Sequence, residues 1–340
     1  VDPVARTEPV LVGNDGEMDP ENGYASGPGP EPVGPPVVDP SPVPVPVLVH
    51  APEPYPVERA LDELFMTQEQ FSAILDALAR KKNVILEGAP GVGKTFVARR
   101  IAWARLGEKD NARVQMVQFH QSYAYEDFVQ GWRPQASGFG LQDGVFHRFC
   151  KKAAADPARD YVFIIDEINR GNLSKIFGEL MMLVEADKRG PDYAVPLAYS
   201  PEPFHVPENL YLLGMMNTAD RSLAMVDYAL RRRFSFIRLQ PAFGVDQFAN
   251  HLAELGASDA LVQRIVQRMT ELNHAIAQDT RNLGPGYEVG HSFFVPGDDG
   301  GTLDDAWYER VVRQEIVPLL GEYWFGRDDQ VREHVDRLLA

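Results

Sequence analysis

Gly88-Ala89-Pro90-Gly91-Val92-Gly93-Lys94-Thr95 form a complete G-x-x-x-x-G-K-[ST] phosphate-binding loop. The glycines let the backbone curl so that its N–H groups converge on one centre. The apolar run Val84-Ile85-Leu86 leads in as a strand, and Phe96 to Ile101 continues as a helix whose dipole adds positive potential. Gly88, Ala89, Pro90, Gly91, Val92 and Gly93 would therefore cradle phosphate, with Lys94 reaching the outer phosphates. Thr95 would offer its hydroxyl to Mg2+. The chemistry is binding of a nucleoside triphosphate.

A second acidic component follows roughly 70 residues later. Asp166-Glu167 ends the apolar run Tyr161-Val162-Phe163-Ile164-Ile165, a Walker B arrangement. Carboxylates at the carboxyl end of a central parallel strand face the ligand crevice. Asp166 would hold the magnesium, and Glu167 would orient and polarise the attacking water. Met216-Asn217-Thr218-Ala219-Asp220-Arg221 ends a further strand. Asn217 fits a sensor that hydrogen-bonds the γ-phosphate or the water. The competing reading, a base-reading N-K-x-D, lacks the lysine that stacks on the base. Arg231-Arg232-Arg233 precedes the next strand, where it is either a solvated basic cluster or a source of an arginine finger for a neighbouring subunit.

These groups need a scaffold. Strands are expected at Val84–Leu86, Val114–Phe119, Tyr161–Ile165, Leu210–Met215 and Phe234–Leu239, alternating with helices. That order implies a parallel α/β sheet flanked by helices. Thr67-Gln68-Glu69-Gln70 reads as a capping box, and Phe71, Ile74, Leu75 and Leu78 then share one helical face. Gln121 to Gly144 reads as a long excursion. Its Tyr123, Tyr125, Trp132 and Phe139 either line a pore or pack beneath a loop. After Pro241 the pattern becomes helical: Leu261, Ile265, Met269 and Leu272 recur on one face, and Pro318 marks a kink or stop after Val311, Val312 and Ile316. The organisation is a Pro-rich acidic linker at 1–56, a nucleotide-binding α/β domain at 57–241 and a helical lid at 242–340.

The three motifs in this order look like the AAA+ superfamily. Several segments resemble, more narrowly, the McrB family of restriction motors. They are Val117 to Phe128, Asp166 to Asn172, Met216 to Arg221, Arg231 to Phe234, and Gly290-His291-Ser292-Phe293-Phe294 in the lid. The resemblance covers roughly residues 67 to 326 and implies a P-loop AAA+ core followed by a small helical lid. It further implies GTP hydrolysis in a hexameric ring, stimulation by an McrC-like nuclease subunit, and action on DNA carrying methylated cytosine. Asn217 and Asp220 would support the catalytic water, Arg221 would couple to the nucleotide, and Arg232 and Arg233 are the first choices for the trans-acting arginine. The family usually places a folded DNA-binding domain ahead of the motor, whereas here 56 residues of linker character precede it. The lid histidine, His291, is either a core residue or a nucleotide contact.

The bulk numbers agree with such a motor. In 340 residues the formal net charge is -16, against a surface that clings everywhere to nucleic acid. More than half of the prolines lie in the first 56 residues, where Arg6 is the sole Lys or Arg, so that stretch reads as disordered with polyproline II character. The single cysteine, Cys150, excludes an intramolecular disulfide, fits a reducing compartment and reads as a small core residue. No apolar run reaches the ~18 residues a membrane span needs, and no signal peptide opens the chain, so a cytoplasmic location is expected. The chain opens on Val1 rather than Met, consistent with a fragment or a processed product. Two other functions remain open: an ATP-driven remodelling factor of the MoxR or dynein-related type, and a nucleotide-gated scaffold, which the presence of Glu167 disfavours.

Overall fold

The computed structural model describes residues 52–136, 138–220, 228–297 and 301–340. The Pro-rich segment up to residue 51 and Arg221 lie outside these.

Five strands form a fully parallel sheet: β1 (Asn83–Gly88), β2 (Val114–Gln118), β3 (Tyr161–Asp166), β4 (Leu210–Asn217) and β5 (Ser235–Leu239). Their spatial order is β5-β1-β4-β3-β2. Asn217 pairs with Gly88 in the β4–β1 register, and Gln118 with Asp166 in the β2–β3 register. The carboxyl ends of the strands therefore meet along one edge, where an open parallel sheet binds ligands.

Alternate residues of the strands feed two cores, as period-2 geometry requires. Val84, Leu86, Val162, Ile164, Leu213 and Met215 pack under helices α1 (Gln68–Lys81) and α2 (Lys94–Leu106). Ile85, Phe163, Ile165 and Leu212 turn to the opposite face, against α3 (Val145–Ala154) and α4 (Leu173–Phe177). There Phe128 stacks on Phe146 with centroids 4.7 Å apart, and Cys150 is buried in the same cluster. Burying each such ring contributes roughly 1.5–3 kcal/mol. Thr67 caps α1 as its sequence predicts: its hydroxyl accepts from Gln70 N, and the Gln70 side chain accepts from Thr67 N.

The excursion between β2 and α3 is partly ordered as a hairpin, Gln130–Gln135 with Gly138–Asp143. It separates the four aromatic residues named above. Tyr123 and Tyr125 pack against the core, whereas Trp132 is 54% and Phe139 73% exposed on the hairpin.

The lid has its own core. Leu261, Ile265, Met269, Leu272 and Ile276 line the buried face of α6 (Asp259–Gln278), which follows α5 (Asp246–Glu254). Helix α7 (Asp305–Val311) does not end near Pro318. It passes through one wider π turn at Val312–Ile316 into α8 (Val317–Tyr323), and α9 (Asp328–Leu339) closes the domain. A π turn just ahead of proline relieves the clash and the missing donor that would otherwise break the helix. No helix among the described residues is long and apolar enough to cross a membrane.

Candidate nucleotide site

The phosphate loop leaves β1 at Gly88 and enters α2 at Lys94. Gly91 and Gly93 hold φ of +77° and +72°, a left-handed backbone that only glycine adopts without strain. The first turn of α2 thereby points its free N–H groups back toward the loop.

Lys94 bends over this turn. Its Nζ donates to Gly88 O at 3.0 Å, to Ala89 O at 2.9 Å, and to Asn217 Oδ1. Burial pulls its pKa down to about 8, against the opposing pull of Glu167, Asp166 and Asp220. Thr95 Oγ1 lies 3.5 Å from Asp166 Oδ2. A hydroxyl and a carboxylate oxygen facing one another beside a phosphate loop are the hard donors that magnesium prefers, so the residues present fit that ion.

Glu167 sits at the tip of β3 with φ 51° and ψ 44°, a rare conformation for a residue with a side chain. Its carboxylate is gripped from two sides. Asn217 Nδ2 donates to Oε1 at 2.6 Å, and Arg170 Nε donates to Oε2 at 3.2 Å. Arg170 also reaches Asp220 Oδ2 at 3.1 Å. The result is one polar chain, Lys94–Asn217–Glu167–Arg170–Asp220, drawn from separate segments of the sequence. The structure thus brings Lys94, Thr95, Asp166, Glu167, Asn217 and Asp220 together. Arg170 joins them, although the sequence reading gave it no task. Its signal was its place three residues after Glu167, one turn further on.

Arg232 and Arg233 are not part of this cluster. In the β5–β1 register Ser235 lies beside Val84, so the arginines adjoin Asn83, at the end of β1 opposite Gly88. Five residues of strand separate the two ends by roughly 16 Å. The pair faces away from its own phosphate loop.

The lid reaches the loop through a short strap. Gly290 N donates to Pro90 O at 3.1 Å and Ser292 N to Gly91 O at 2.9 Å. Thr218 Oγ1, just past Asn217, donates to Gly286 O at 2.7 Å. Asn273 of α6 holds the strap by donating to Val289 O and accepting from Val289 N. His291 is buried, its Nδ1 accepts from Ala242 N at 3.0 Å, and burial lowers its pKa to about 4. It is a histidine of the lid–loop junction, packed edge-on against Phe65 and Phe248.

Beside Val92 and Gly93 opens a cavity of about 1290 Å³. Phe65, Met66, Phe96, Pro241 and His251 line it, from the segment before α1, the start of α2, the end of β5 and the lid. That position, next to the phosphate loop, suits a purine and ribose. Sequence reasoning missed it because its walls come from distant segments; the apolar run Leu64-Phe65-Met66 ahead of the Thr67 cap was the available sign.

A phosphate loop, a Walker B carboxylate pair and a β5-β1-β4-β3-β2 parallel sheet capped by a helical lid define a P-loop protein of the AAA class. Residues 83–234 match the AAA domain of the dynein-related subfamily. Residues 264–332 match the McrB α-helical lid domain. The chain is 52% identical over 288 residues, 84% of its length, to the Type IV methyl-directed restriction enzyme EcoKMcrB subunit of Escherichia coli strain K12. It is 28% identical over 200 residues, 47% of its length, to the Type II restriction enzyme BsuMI component YdiS of Bacillus subtilis strain 168. In its core and lid the chain belongs to the McrB family. It spans 63% of the length of the first relative and 57% of the second.

Proposed function

We propose that this chain is the nucleotide-hydrolysing motor of a modification-directed restriction system, that it prefers GTP, and that it works in the cytoplasm. The observation that supports hydrolysis is the grip of Asn217 and Arg170 on Glu167, within the cluster that holds Lys94 and Asp166. A carboxylate held this way can accept a proton from water as the water attacks the γ-phosphorus. The bond from that phosphorus to the bridging oxygen breaks, and the nucleoside diphosphate and phosphate leave. Lys94 would turn from Asn217 toward the β- and γ-phosphate oxygens and balance their charge. Thr95 and Asp166 would hold Mg2+, which supplies further charge neutralisation at those oxygens.

The family membership supports the rest of the reading. The E. coli relative is by name a subunit of a methyl-directed restriction enzyme. A homo-hexameric ring, an McrC-like nuclease partner and DNA reached through that complex follow for this chain by analogy. Arg232 and Arg233, too far from their own phosphate loop, suit the role of trans-acting fingers, Asn217 and Asp220 suit support of the catalytic water, and Arg221 is assigned coupling to the nucleotide by the same family analogy. The test is nucleotide binding by the purified chain with Mg2+, GTP against ATP, followed by hydrolysis with and without the nuclease subunit. GTP is expected to bind at least tenfold more tightly. A preference for ATP would overturn the GTP assignment and move the chain to the ATP-driven remodelling class.

A further inference from the structure

Around the arginine pair lies a polar network that the hydrolytic reading leaves unused. Glu185, only 8% exposed, follows the Leu180–Leu183 helix. Three cations surround its carboxylate: Lys188 at 2.8 Å, Arg233 at 3.0 Å and Arg232 at 3.4 Å. The backbone of the pair is fixed as well. Lys81 Nζ donates to Arg232 O at 2.8 Å, and Asn83 Nδ2 donates to Arg233 O at 3.0 Å.

Asn83 is fully buried and begins β1, whose other end is the phosphate loop. Its second amide hydrogen goes to Val184 O at 2.7 Å, next to Glu185. Its Oδ1 accepts from Arg189 at 2.6 Å, and Arg189 in turn is buried and donates to Val184 O. Burying polar groups costs desolvation, and a hydrogen-bonded network of them rigidifies its surroundings. The two side chains it fixes differ in access: Arg233 is 17% exposed and Arg232 74%. A guanidinium has a rigid planar fork, so a carboxylate on one edge sets the direction of the remaining donors.

We propose that Glu185, backed by Asn83 and Arg189, is the positioning residue for the Arg232–Arg233 pair, aiming it at a nucleotide bound by the neighbouring copy of this chain. The inference rests on the reading of that pair as trans-acting. Glu185 touches no substrate. It acts by restricting the pair, so its loss lowers turnover in the neighbour and leaves nucleotide binding in its own protomer intact.

Mixing experiments on the full chain separate this from a general structural role. Glu185→Gln keeps the volume and removes the charge. With GTP and Mg2+ we expect unchanged nucleotide affinity and a turnover lowered at least tenfold, short of the roughly 10³–10⁵-fold that a whole arginine finger supplies. Adding excess Glu167→Gln chains, inactive themselves but with an intact arginine pair, restores turnover per Glu185→Gln chain. Arg232→Ala is run in parallel. Wild-type turnover in Glu185→Gln, or a loss that Glu167→Gln chains do not restore although they restore Arg232→Ala, overturns the positioning role. If Arg232→Ala and Arg233→Ala both turn over normally, the trans-arginine reading itself fails. Should Glu185→Gln lose nucleotide binding, Glu185→Asp, which keeps the charge but withdraws it by one methylene, is put through the same comparison.

Discussion

At the residue scale the site is a set of charges that must exchange partners. Lys94 donates to Asn217, and Asn217 to Glu167. With its pKa near 8, Lys94 is charged at neutral pH and loses its proton as pH rises through 8. A triphosphate binds the charged form, so nucleotide affinity should fall about tenfold between pH 7 and pH 9. A flat dissociation constant across that range, read by calorimetry, would count against Lys94 as the phosphate contact. Glu167→Gln should keep nucleotide binding and lose roughly 10²–10⁴-fold in turnover, the range for a general base; near-normal steady-state hydrolysis would remove Glu167 from that role. Most of this cluster was legible in the sequence because phosphate chemistry fixes residue type and spacing together. The left-handed backbone of Glu167 and the second grip by Arg170 were not, since both depend on how the chain turns after β3.

At the element scale the strap between Val289 and Phe294 decides whether the lid can sit on the loop. A Cβ on Gly290 would lie 1.9 Å from Gly91 C and 2.4 Å from Val92 N, both backbone atoms that cannot swing aside. Gly290→Ala should therefore lift the strap from the phosphate loop, weaken nucleotide binding at least tenfold and leave the lid helices folded; wild-type affinity would show that the contact is dispensable. His291 makes the same junction sensitive to acid. Its folded pKa is about 4 and its unfolded pKa near 6.5, so unfolding takes up a proton between these values. Stability should fall as pH drops from 6.5 to 4, by roughly 3 kcal/mol from this residue. Denaturant titrations of His291→Gln should show a slope shallower by up to one proton in that window; an unchanged slope would reject the assignment. The strands and long helices were legible from their apolar periods. The Gln130–Asp143 hairpin was not, because Gly131, Pro134, Gly138 and Gly140 carry little strand propensity, and only Trp132 and Leu141 pair as strand residues should.

At the scale of the whole molecule, one chain is an incomplete catalyst if the site needs an arginine beyond its own reach. Arg232 and Arg233 lie at the far end of β1, and Arg232 is mostly exposed. Within the cluster Arg170 is committed to Glu167 and Asp220. Turnover per chain should then depend on concentration, rising as chains associate and collapsing on dilution. The decisive case is a dilute solution in which sedimentation shows wild-type chains to be mostly monomeric. Adding Glu167→Gln chains there should raise hydrolysis per wild-type chain, because an inactive neighbour can still lend its arginines. Turnover per chain that stays constant on dilution into the monomer range, with no gain from the added variant, would mean that the site is complete within one chain. The arginine pair would then be a structural anchor for β5, held by Glu185 for stability alone.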